Sequence, residues 1–308
     1  MKKRRQHHVW QRYLQSWTVD DKLFCLRDGR IFVAGTHDVA VDRDFYKLQV
    51  LTDEDIKLIK WLVVDAATHE LSKRHHTDLL TSFAAPLRFV EKNRSAFKNV
   101  ESIDEYIDEY QTNAMEDYYG RMEQSFLPTL EDVLRGNLSF YEDGNRCIGF
   151  LHFIITQHMR TKRTREKTIE ILRSKSNIDF SRCWNITVHM FSFNIGLSLF
   201  RERKRRSLIL LENKTDLPFI TGDQPIVNLL AAGTTPPEAL SVYYPVSPTL
   251  ALVLGEVDQP PAFVSENLTV ADVQYLNDRI YAAHHSQVFA HKGCRPEYGW
   301  NSGCRIPG

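Results

Sequence analysis

The sequence lacks a long apolar run, an excess of either charge and a cysteine framework, and each absence removes a class of protein. Its 308 residues carry 39 Lys plus Arg and 39 Asp plus Glu, so net charge gives no argument for a polyanionic partner. The longest apolar stretches, 148–155 and 190–200, are interrupted by His152, Ser192 and Asn194. Both fall short of the roughly 20 residues that span a bilayer. No apolar segment with a cleavage site follows the basic start Met1–Arg5, so no secretory signal is expected. The five cysteines, Cys25, Cys147, Cys183, Cys294 and Cys304, are odd in number and contain no C-x-x-C. That pattern points to a reduced, cytoplasmic compartment. A P-loop, a G-x-G-x-x-G and a G-x-S-x-G are all missing, which argues against ATPases, dinucleotide enzymes and α/β-hydrolases. There is no internal repeat.

What is present is segregated charge. Met1–Arg5, Arg160–Lys175 and Arg201–Arg206 are basic, and Glu101–Glu123 is acidic. The two later basic runs are candidate nucleic-acid contacts, or equally solvated helix ends. The opening stretch H-H-V-W-Q-R-Y-L-Q-S-W places His7, Gln11 and Leu14 on one stripe of a helix, beside Trp10, Tyr13 and Trp17. An aromatic stripe predicts that this segment docks on the body of the protein and carries an imidazole with it.

Further along, K-L-F-C-L and R-I-F-V-A flank Asp28-Gly29, a strong hairpin signal. Acids after Thr52 mark a helix start, and helical periodicity dominates to about residue 183, with Pro86 and Pro128 expected to break helices. From about 207 to 290 the chain is β-rich. Leu208–Leu211 and Phe219–Leu229 read as a hairpin, Leu240–Tyr244 and Leu250–Leu254 as strands, and Thr269–Ala290 as a closing helix. Strands and helices are segregated, which predicts an α+β fold. The organisation expected is a single domain, 1–308, with the helical region about 52–183 packed on the β-rich region.

Few residues could carry chemistry. In Thr221-Gly222-Asp223-Gln224-Pro225 an acid sits at a strand interruption. Such a kink can aim a side chain into a cleft, or the acid can bond its own turn. His7 next to Asp223 would be a general base with an orienting carboxylate, or two ligands of a divalent metal; His7 alone reads as a packed core residue. His291, Cys294 and Cys304 are potential zinc ligands at a spacing that fits no common zinc module. Arg279 and His284 have the R-x(4–6)-H spacing of HEPN-type ribonucleases, a weak signal.

The motifs, in order, resemble the domain-of-unknown-function family 4238. His7-His8-Val9-Trp10-Gln11-Arg12-Tyr13-Leu14 resembles its opening H-Y-V-P-Q-F-Y-L, with Trp10 for the usual Pro. Arg43-Asp44-Phe45-Tyr46 resembles the next block, and Gln157-His158-Met159-Arg160-Thr161 an R-T element. Thr221-Gly222-Asp223-Gln224-Pro225 resembles S-D-x-P, with Gly for Ser. Tyr244-Pro245-Val246-Ser247-Pro248 and Leu276-Asn277 resemble the last two blocks. The resemblance covers about residues 6–290 and brings no established activity. It implies that His7, Gln11, Arg160, Asp223 and Asn277 share one site, with Tyr46 beside them.

The expectation drawn from these residues is a nuclease-like hydrolase, an effector in defence against phage. His7 and Asp223 would be catalytic, Arg160 would neutralise phosphate charge, and Gln11, Asn277 and Tyr46 would position substrate. The competing expectation is a non-catalytic module that binds nucleic acid or protein, in which the same polar residues form a structural network.

Overall fold

The computed structural model describes residues 1–176, 179–231, 239–258 and 267–292. The fold is α+β, as the segregated patterning predicts.

The N-terminus opens as a strand and not as a helix. β1 (Arg5–His7) pairs antiparallel with β4 (Val41–Arg43), His7 opposite Val41. The helix, α1, is a single turn, Gln11–Leu14, continued by a 3-10 turn at Gln15–Trp17. His7 and Gln11 therefore do not share a helical stripe. The aromatic docking holds: Trp10, Tyr13, Leu14 and Trp17 are buried with Phe126, Phe153, Tyr244 and Leu252 in one core cluster. The Tyr13 hydroxyl donates to the Pro245 carbonyl (2.7 Å) and meets the Thr221 hydroxyl at 2.6 Å, and Trp17 Nε1 donates to the Phe219 carbonyl (3.3 Å). These bonds give the polar tips of the buried Tyr13 and Trp17 their partners.

β2 (Lys22–Arg27) and β3 (Arg30–Gly35) form the expected hairpin. Its turn holds Asp28 and Gly29 at φ +52° and +71°, the left-handed geometry that lets a two-residue loop follow the strand twist.

Seven helices build the middle of the chain: α2 (Asp53–Ile59), α3 (Glu70–Leu79), α4 (Ala85–Lys92), α5 (Ile103–Leu134), α6 (Gly144–Met159), α7 (Lys162–Ser176) and α8 (Trp184–Arg201). Thr52 and Asp55 form the capping box that starts α2. Pro86 does not end the helical run: a π-helical turn, Leu80–Ala84, leads from α3 directly into α4, and Pro86 lies in the first turn after it. Pro128 does not break α5, which runs through it. The proline removes one helical bond, to the Gln124 carbonyl. Phe126, Leu130 and Val133, buried in the core on either side, hold the helix across the gap. α6 and α8 cross closely at Gly196, where a Cβ would lie 3.2 Å from the His152 Cα.

The last third differs from the expected hairpins. β5 (Arg206–Glu212) pairs along its length with β9 (Leu250–Glu256), not with the following segment. Residues 219–229 contribute only β6 (Thr221–Gly222) and β7 (Val227–Asn228), in different sheets, because Asp223 and Pro225 interrupt them. β8 (Val242–Pro245) and β9 fall at the two expected strands, and they pair antiparallel with each other. The closing helix α9 is Val270–Ala283, and the chain then extends into β10 (Gln287–Ala290). β10 inserts between β2 and β6, giving sheet order β3-β2-β10-β6; the other four-stranded sheet is β5-β9-β8-β7. Among the described residues no helix is long and apolar enough to cross a membrane.

Gly29 is the turn's weak point. Gly29→Val should cost about 1–2 kcal/mol, the strain of a branched residue in the left-handed region. Urea denaturation should show a lowered midpoint with an unchanged slope.

Candidate active site

The pocket of interest lies between the N-terminal segment and α5. It has a volume of about 320 Å³ and is lined by His7, Trp10, Gln11, Arg12, Gln15, Glu116, Tyr119 and Glu123. Glu116, Tyr119 and Glu123 are spaced i, i+3, i+7 along α5, which places all three on one helix face. β1 carries His7 to the opposite wall. Its backbone is fixed by Tyr46, whose hydroxyl donates to the His7 carbonyl (3.0 Å), while Gln6 takes the Tyr46 N–H (2.6 Å) and donates to the Thr112 carbonyl on α5 (2.7 Å). Gln11 donates to the Thr36 hydroxyl (3.1 Å).

Arg160, 2% exposed at the C-terminus of α6, stands behind Glu123. It donates to Glu123 Oε1 (2.7 Å) and to Gln157 Oε1 (3.1 Å from Nε), and its guanidinium lies 4.8 Å above the Tyr119 ring. Gln157 in turn donates to the His8 carbonyl (3.0 Å).

The pocket sets its proton states by burial. Burial pushes the Glu116 carboxyl up to about 7, and the neighbouring Glu123 adds to the rise, against Arg160 and Lys3. Glu123 is also raised by burial and drawn back by Arg160. His7 is held below the ordinary imidazole value, mainly by burial, with the backbone at His37 and Thr36 opposing. The pocket lining thus combines an imidazole whose proton affinity is lowered with a carboxyl whose proton affinity is raised. His7 Nε2 and Glu116 Oε2 are buried and have no hydrogen-bond partner among the described residues. Buried polar atoms are rarely left this way, and two in one pocket leave bonding capacity for a ligand or water.

Of the residues expected in the site, His7 and Gln11 line the pocket, and Arg160 and Tyr46 buttress it. Asp223 and Asn277 are not among the lining residues. The Asp223 carboxylate accepts the N–H groups of His285 (2.8 Å), Ser286 (2.7 Å) and Gln287 (2.9 Å) and the Ser286 hydroxyl (3.0 Å). It clamps the turn from α9 into β10. The imidazole that feels its charge most is His8, where it opposes the lowering that burial imposes. Asn277 accepts from the Ile220 N–H (3.0 Å) and donates to the Pro218 carbonyl (2.9 Å), strapping α9 to the strand before Asp223.

No three His, Cys, Asp or Glu side chains are placed to hold a metal together among the described residues. The donor set therefore does not fit the divalent metal expected at His7 and Asp223. Cys294 and Cys304 lie outside the described residues, and His291 is half-buried beyond β10. Arg279 donates to the Ala231 carbonyl (2.6 Å) and His284 bonds the Tyr281 carbonyl, both away from the pocket. The basic runs largely tie elements together. Lys162 pairs with Asp42 (3.4 Å), Arg163 donates to the Ala282 and His284 carbonyls (2.8 Å each), and Arg206 pairs with Glu256 (2.7 Å).

Glu116, Tyr119 and Glu123 were missed because they sit in a stretch so acidic that it reads as a solvated face. Their shared face, opposed to an arginine at the end of another helix, is the signal that could have found them.

The class defined by this fold and site is an α+β protein with a pocket lined by an imidazole and paired carboxyls, closed by its N-terminal strand. Within that class the chain belongs to the family described as Protein of unknown function (DUF4238), which matches residues 5–293. No curated protein and no solved structure matches it.

Two outcomes follow from the site. Asp223→Ala leaves buried donors without an acceptor and should cost about 3–5 kcal/mol, read by chemical denaturation. Glu116 has its folded-state pKa raised from 4.5 to about 7. Its contribution to stability is complete below 4.5 and is lost as pH rises through about 7. Buried histidines with lowered pKa act in the opposite sense in both proteins, so the effect is read as a difference: the denaturation midpoint of Glu116→Gln should rise relative to that of the wild type as pH crosses the window.

Proposed function

We propose that the chain is an acid–base phosphodiesterase that cleaves RNA at this pocket without a metal. One observation carries the reading: His7 and Glu116 line the same small pocket, and the buried His7 Nε2 and Glu116 Oε2 have no hydrogen-bond partner among the described residues, while burial lowers the proton affinity of the first and raises that of the second. Groups whose surroundings set complementary proton states are the natural assignments for base and acid. His7 would take the proton of a ribose 2′-hydroxyl. The 2′-oxygen would attack phosphorus, and Glu116 would protonate the departing 5′-oxygen as the P–O5′ bond breaks. Glu123 is compensated by Arg160, so the pocket is less anionic than its residues suggest. Arg12 at the pocket and the Gln11 amide supply donors for phosphate oxygens.

A second reading is a binding module in which the polar residues are structural. The saturated bonds of Asp223, Asn277 and Tyr46 favour it.

Cleavage of labelled single-stranded RNA in EDTA separates the two. His7→Ala and Glu116→Gln should each lower the rate by about 10²–10⁴-fold while remaining folded. The wild-type rate should fall as pH rises through about 7, where Glu116 ionises, and should fall again on the acid side, below the ordinary imidazole value, where His7 takes up a proton and stops acting as a base. A wild type that leaves RNA intact, or variants that cleave as it does, sinks the enzymatic reading.

A further inference from the structure

The sheet β3-β2-β10-β6 ends on one side at β3. Three consecutive apolar residues there are open to solvent: Ile31 is 42% exposed, Phe32 38% and Val33 47%. Only Ala34 and Gly35 of this strand are buried. In a two-residue hairpin the pair flanking the turn, Arg27 and Arg30, exchanges both backbone bonds, and bonding then alternates along the ladder. Residues 30, 32 and 34 face their amides to β2, and Ile31 and Val33 face theirs outward. Those outward groups have no hydrogen-bond partner among the described residues.

Proteins commonly blunt such an edge with charge, proline, a bulge or a cover. Between Arg30 and Gly35 there is no charge, no proline and no break in the register with β2. An open, uncharged strand is a template for another strand.

We propose that β3 is a self-association surface, pairing antiparallel with β3 of a second copy of this chain about a two-fold axis through Phe32. The register selects a second copy. With Phe32 opposite Phe32, Ile31 of each copy stands opposite Val33 of the other. These are the residues whose N–H and C=O groups point outward, so both pairs can exchange their two bonds, four in all. A two-fold contact of one patch with itself is the commonest form of homo-oligomer. The register also sets no like charges directly opposite each other, since Arg30 meets Ala34 of the second copy. Three half-exposed side chains per copy bury little against the roughly 1,600 Å² of a standard interface, so the dimer dissociates on dilution.

The test is sedimentation velocity of the full chain over a dilution series, with amide exchange at Ile31 and Val33. The apparent mass should double with concentration, and the two amides should slow at least tenfold as it does. Val33→Lys should stay monomeric. Val33→Pro, which deletes an outward N–H that the hairpin does not use, should do the same with an unchanged far-UV spectrum. Val270→Lys, at an exposed site on α9, should dimerise as the wild type does. A monomer at every concentration, or a dimer that survives both Val33 variants, overturns the proposal. So does protection that is independent of concentration and lost on removing residues 293–308, since the chain's own tail would then occupy the edge.

Discussion

A guanidinium buried at 2% exposure has to be paired and bonded, because an isolated charge in the interior costs several kcal/mol. Arg160 meets that requirement with Glu123, Gln157 and the face of Tyr119. The partners come from two helices. Glu123 and Tyr119 are on α5. Gln157 is on α6 and reaches the His8 carbonyl. The N-terminal strand is therefore held by the same network that neutralises the charge. Without Arg160, Glu123 would be a second buried acid with no cation beside it, next to Glu116, since the arginine draws both carboxyls back against the rise that burial imposes.

The site is assembled from segments far apart in the chain, and the assembly is cooperative. His7 is presented by a three-residue strand that could not stand alone. It is fixed by pairing with β4, by the Tyr46 hydroxyl under its carbonyl, and by the neighbouring Gln6, which bridges Tyr46 and α5. The polar residues that looked catalytic divide into two populations. His7 and Gln11 line the pocket, and His7 keeps an unpartnered ring nitrogen, whereas Asp223 and Asn277 are bonded to backbone groups. A carboxylate that accepts four hydrogen bonds has no capacity left for a substrate, which is why Asp223 reads as a clamp.

Much of the fold was legible in the sequence. Asp28-Gly29 gave the hairpin, because only residues that tolerate left-handed backbone close a two-residue turn. Thr52 with Asp55 marked the α2 cap. The aromatic stripe gave the docking of the first segment, although its strand was read as helix: His7 lies before the helical turn, and only its long-range pairing with Val41 shows this. The failures share that cause. Pro128 was read as a breaker, since the packing of Phe126 and Leu130 that carries α5 past it is tertiary. β10 was absorbed into the closing helix, since its partners lie at Leu26 and Gly222. Of the candidate site, His7, Gln11 and the supporting Arg160 and Tyr46 were readable from ordered motifs. Glu116 and Glu123 were not, because an acid that faces a buried arginine has the same local sequence as one that faces water.

The place of β10 carries a consequence for how the molecule comes into being. β2 is made before the helical middle of the chain, yet one of its two ladder partners, Gln287–Ala290, is made after it. Parallel helical packing in the middle of the chain can proceed during synthesis, whereas this sheet cannot. Its closure spans most of the chain, and such long-range pairing is slow because the loop entropy is lost before the contacts form. Until then the hairpin carries two open edges instead of one.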